Sequence, residues 1–127
     1  MKSIALVSGL YDLSVGALLF FFRQSLQTWF GLPAPVPPIH VDLNAIFVTA
    51  VGVGYLLPYR EPERYRGYMW VMGPLLKGAG AAAFVLDYVM RGSTPAFLLF
   101  AASDGTLALV TLIALVRTTS RSAAPAR

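Results

Sequence analysis

Gly73-Pro74-Leu75-Leu76-Lys77-Gly78-Ala79-Gly80, inside the apolar stretch from Gly67 to Met90, decides how the chain has to be read. A lysine at the centre of a membrane-spanning helix costs roughly 2.5–3.5 kcal/mol, so Lys77 demands a partner or a water-filled cavity. Pro74 removes one backbone hydrogen bond and is expected to kink the helix within a turn of the lysine. Gly73, Gly80 and Ala81 share the lysine's face, and Phe84 and Asp87 continue the stripe. Small residues at those spacings predict that another helix comes close and that Lys77 faces a bundle.

Composition sets the class in which that demand is met. Hydrophobic residues make up 57% of the 127 and charged residues only 13%. Four apolar runs approach or reach the length of about 17–25 residues that a bilayer requires, and a soluble domain this small cannot bury them. The expected fold class is all-α, a polytopic membrane four-helix bundle in residues 1–116 with helices near 4–22, 43–57, 67–90 and 95–116. Residues 117–127 are expected to form a basic, disordered cytoplasmic tail. Cysteine is absent, which excludes disulfides, thiolate metal sites and cysteine nucleophiles. The net charge of +4 lies in short loops and at the chain ends. There it sets orientation and meets anionic lipid, so the lipid bilayer is the expected partner and nucleic acid is not.

The first helix opens like a secretory signal, with Lys2 before an apolar run, but Asp12 interrupts its centre and no small-x-small cleavage site follows Phe20-Phe21-Phe22-Arg23. It is therefore expected to stay as an anchor. Ala5, Ser8, Gly9, Asp12, Val15, Gly16 and Leu19 fall on one face at helical spacing, which predicts a packing face carrying a carboxylate. Gly31-Leu32-Pro33-Ala34-Pro35-Val36-Pro37-Pro38 forbids helix and predicts a stiff, extended spacer. His40, Asp42 and Asn44 lead into the second helix, with Asp42 expected as its N-cap. A single histidine near an aspartate falls short of a metal set, and neither metal nor cofactor is expected. Asp87 and Arg91, four apart, predict an interfacial ion pair, and Thr94-Pro95 a helix start.

Orientation follows from the arginines and lysines. Lys2, Arg60, Arg64, Arg66, Arg117, Arg121 and Arg127 fall on one side of the expected bundle, against Arg23 and Arg91 on the other. The positive-inside rule then predicts both termini in the cytoplasm, N-in and C-in.

Depth brings the costly charges together. At about 1.5 Å per residue, Asp12 lies roughly 12 Å and Lys77 roughly 15 Å from the inner ends of their helices. Asp104, counted from the opposite side, lies about 14 Å below the far boundary of a core about 30 Å thick. On the fourth helix it sits among Phe97, Ala101, Ala108 and Thr111 on one face. The expectation is a midplane Asp12–Lys77–Asp104 cluster that binds a ligand or a proton, since one lysine cannot neutralise two carboxylates. A cluster that only fixes helix register is the structural alternative. Tyr11 and Tyr55 are secondary candidates for the same centre, as are His40, Asp42, Asn44 and Asp87 at the helix ends.

Four short helices from Ile4 to Val116, both ends cytoplasmic and polar residues inside, resemble the small bacterial four-helix membrane proteins of the DoxX-like kind. The resemblance is one of architecture, without a diagnostic motif, and implies a multi-pass protein of the bacterial inner membrane. Three functions fit these residues. The first is binding or transport of a small or lipophilic ligand, transport requiring a homodimer because four helices are cramped. The second is a non-catalytic subunit docked on a membrane-complex partner through its small-residue faces. The third is an embedded enzyme, for which the sequence supplies acid–base groups but no catalytic motif.

Overall fold

The computed structural model describes residues 1–122, with side chains through Thr118. Among the described residues every regular element is helical. The chain runs through α1 (Lys2–Phe21), α2 (Arg23–Phe30), α3 (Ile39–Gly54), α4 (Leu56–Arg60), α5 (Arg66–Trp70), a π-helical segment (Val71–Lys77), α6 (Gly78–Arg91) and α7 (Phe97–Ser122). Four stretches, Lys2–Phe21, Ile39–Arg60, Arg66–Arg91 and Phe97–Thr118, are long and apolar enough to cross a membrane.

The element ends follow the chemistry of a few residues. α2 and α6 stop at Gly31 and Gly92, whose φ of 62° and 67° is left-handed backbone that glycine adopts without a Cβ clash. The second of these stretches begins at Ile39, directly after Pro38, and not near Leu43 as expected. Proline fits an N-terminal turn because the amide it lacks has no acceptor there, so the helix starts earlier and Asp42 falls in its first turn instead of capping it. The same stretch is interrupted at Tyr55, three residues before Pro58, which cannot donate to the preceding turn. α7 is another departure. Ser93 and Thr94 precede a turn in which the Phe97 amide donates to the Thr94 carbonyl at 3.2 Å, and regular helix starts at Phe97. It then continues to Ser122, so the segment expected to be disordered from residue 117 is helical as far as it is described, and 123–127 lie outside the described residues.

Around Pro74 the third stretch is π-helical, not simply kinked. A proline ring collides with the carbonyl four residues earlier and offers no N–H, and the wider turn of a π-helix relieves both problems by holding one residue more. Gly73 on this segment backs onto Thr111 of α7, and a Cβ there would stand 2.6 Å from the Thr111 methyl.

The helices assemble as two antiparallel hairpins. In the first, α1 packs on α3 and α4 through glycine: a Cβ on Gly52 would meet the Leu13 amide at 2.9 Å and one on Gly9 would meet Tyr55 at 3.0 Å. In the second, α6 and the π segment pack on α7. Close to the chain termini the hairpins meet in an apolar plug of Ala5, Val51, Tyr55, Met69 and Leu115. Tyr68 closes its side, ring edge against Tyr55 at 5.2 Å and hydroxyl donating to the Val51 carbonyl at 2.6 Å. Towards the proline-rich loop the hairpins separate, and between them is a cavity.

Candidate functional site

Three of the four membrane-length stretches bring ionisable side chains to one level between plug and cavity. α1 presents Asp12 because Ala5, Ser8, Gly9 and Gly16, its neighbours at helical spacing, are small and buried, so α3 comes close and the carboxylate is enclosed. The π segment turns Lys77 inward, leaving it 6% exposed. α7 supplies Asp104 on the face that buries Ala101, Ala108 and Thr111. Lys77 Nζ donates to Asp12 Oδ1 and, at 3.4 Å, to Asp104 Oδ1. Its charge also stands 4.8 Å from the centre of the Tyr11 ring. Tyr11 in turn shares a 2.7 Å hydrogen bond with Ser103, beside Asp104.

The two carboxylates differ in what they have left to offer. Asp12 is 3% exposed, one of its oxygens holds the lysine, and the other has no hydrogen-bond partner. Asp104 keeps 20% of its side-chain surface exposed and makes the longer contact. Both line a cavity of about 460 Å³ that rises from this level towards the proline-rich loop. Its walls are apolar, with Phe84 stacked on Phe97 at 5.7 Å and beside Phe100 at 5.9 Å. At the far end α2 and the loop lean over it, contributing Leu26, Phe30, Leu32 and Pro33. The loop expected as a mere spacer is thus part of a wall.

The secondary candidates scatter. Tyr11 belongs to the floor, and Asn44 lines the cavity higher up. Asp42 stands at the mouth, where it accepts from Arg23 at 2.8 Å, both side chains about a third exposed. Tyr55 is 1% exposed but lies in the plug beneath the floor, its hydroxyl without a hydrogen bond, like that of Ser8. His40 is exposed and lines no part of the cavity. Asp87 is drawn off by Arg91 at 2.9 Å and by the Ser93 hydroxyl, outside the cavity. Gly80, expected to admit a neighbouring helix, faces open space instead, since nothing stands within 4 Å of where its Cβ would be. Sequence reasoning missed Arg23, Gln27 and the aromatic wall. Phe84 and Phe97 each shared a face with a buried charge, which was the available signal.

Fold and site together define an all-helical protein with four membrane-length stretches, whose two hairpins enclose an apolar cavity on an ionic floor. No family model matches the chain, and comparison with curated proteins and with solved structures gives no match either.

Proposed function

We propose that this chain is an integral membrane protein that binds a small lipophilic molecule between its hairpins, with the molecule's polar end at Asp12, Lys77 and Asp104. The observation that carries the reading is the cavity of about 460 Å³ opening onto a buried lysine. That volume lies within the range of roughly 300–1,000 Å³ typical of small-molecule sites. A cluster serving only to fix register has no need of such a space.

Insertion in a bilayer is supported by what the helices leave outside. Leu75, Val89, Met90 and Leu99 are 61–78% exposed around the described surface, an arrangement that suits lipid and not water. Both termini are cytoplasmic in this proposal. The asymmetry of basic residues supports that orientation, and the two arginines near the proline-rich loop are each paired with a carboxylate. Kinship with the DoxX-like proteins and a place in a bacterial inner membrane belong to the same proposal and rest on the four-helix architecture.

The test uses a neutral lipophilic diazirine photoprobe on the full chain in nanodiscs. Saturable labelling of Phe84 and Phe97, abolished by Gly80→Phe, is expected, because Gly80 lines the cavity with open space at its Cβ position and an added ring takes up that space. Labelling confined to outward residues such as Leu75 and Val89, and unchanged by Gly80→Phe, would remove the reading.

A further inference from the structure

The charges around the cavity do not balance. Asp12, Lys77, Asp104 and Arg23 line it, and Asp42 is bound to Arg23 at its mouth, so two cations stand against three carboxylates. Lys77 is already engaged: its Nζ donates to Asp12 and to Asp104, and its charge stands 4.8 Å from the centre of the Tyr11 ring. Arg23 is engaged by Asp42. An anionic headgroup entering this space would meet no free cation. The second oxygen of Asp12 has no donor, but it is closed off from the cavity, so the acceptor a ligand can reach is on the more exposed carboxylate. That carboxylate is Asp104, held by one contact of 3.4 Å. An excess of carboxylate in a largely apolar cavity is costly, and an ammonium group supplies the missing positive charge together with a donor for Asp104.

We propose that the cavity selects a lipophilic amine, bound as its ammonium ion with an N–H donor on Asp104 and its hydrocarbon chain along the phenylalanine wall. This rests on the reading of the cavity as a lipophile site and specifies the headgroup.

Three probes with one tail and different heads test it: decylamine, decanol and decanoate, titrated calorimetrically into full-length protein in zwitterionic nanodiscs near neutral pH. Binding is read as the difference from Gly80→Phe nanodiscs, which cancels partition into lipid. Decylamine should bind saturably, and decanol and decanoate at least about tenfold more weakly, the value of one hydrogen bond to a charged group. Asp104→Asn should bring decylamine to the level of decanol without changing decanol, and Asp104→Glu should restore the preference. Decanol or decanoate binding as tightly as decylamine would overturn the amine assignment while leaving a lipophile site in place. An unchanged decylamine affinity in Asp104→Asn would overturn it as well. Saturable binding of none of the three would overturn the assignment and the site together. The ranking of the three probes needs no Asp104 variant, and protein-free nanodiscs of the same composition serve as the reference where Gly80→Phe fails to fold.

Discussion

Tyr11 and Ser103 join the two helical hairpins by a 2.7 Å hydrogen bond across the edge of the ion cluster. Ser103 Oγ lies 2.9 Å and 3.1 Å from the carbonyls of Leu99 and Phe100, so its proton goes to its own helix and its lone pair accepts from the tyrosine. Tyr11→Phe leaves Ser103 satisfied and should cost about 0.5–1.5 kcal/mol in a melting assay in lipid. Ser103→Ala strands a half-buried phenol and should cost at least as much. A double variant that loses the full sum of the two would show that these hydroxyls do not meet.

Removal of the lysine should be far more harmful than removal of the whole cluster. Lys77→Met leaves Asp12 buried and unpaired and should cost about 3–5 kcal/mol, while Lys77→Met with Asp12→Asn and Asp104→Asn should recover much of the folded yield. Thermal melting of both proteins, with yield after reconstitution, checks this. Damage that grows with each added substitution would mean that the three charges are independent.

Two glycines seven residues apart on one helix should behave oppositely. Gly73→Leu drives a side chain into Thr111 and should lower stability by about 1–3 kcal/mol or more, whereas Gly80→Leu enters the cavity and should leave the melting temperature nearly unchanged. Equal sensitivity at the two positions would contradict the separation of the hairpins at the level of α6.

Topology is open to a direct assay. Reporters active only in the cytoplasm should work after Arg127 and within the Glu61–Tyr65 turn, and fail when inserted near Pro35. The reverse pattern would invert the proposed orientation and place the cavity mouth on the cytoplasmic side.

Much of this arrangement is legible in the residues, and what is not has identifiable causes. The packing faces could be read because a carboxylate among Ala5, Ser8, Gly9 and Gly16 tolerates one orientation only, and α1 buries those residues. The meeting of Asp12, Lys77 and Asp104 followed from rise per residue, which depends little on detail. Gly80 could not be read, because a glycine at a helix contact and a glycine beside a void look alike in a sequence. The π turn was hidden for a related reason: Pro74 signals that an α-helical bond is lost, but not how the chain absorbs the loss. The Arg23–Asp42 pair depended on how α2 folds back after Phe22, and no periodicity encodes that. The early start of α3 at Ile39 was obscured by assigning the cap to Asp42, although Pro38 is equally suited to head a helix.

The plug of Tyr55, Met69 and Leu115 closes the space between the hairpins on the side away from the cavity. A ligand at the proposed site would reach it on the cavity's own side and not through the plug. Carrying cargo across would require dismantling Met69 and Leu115, both at 0% exposure, once in every cycle. In the proposed membrane, exchange at the site would therefore leave that packing undisturbed.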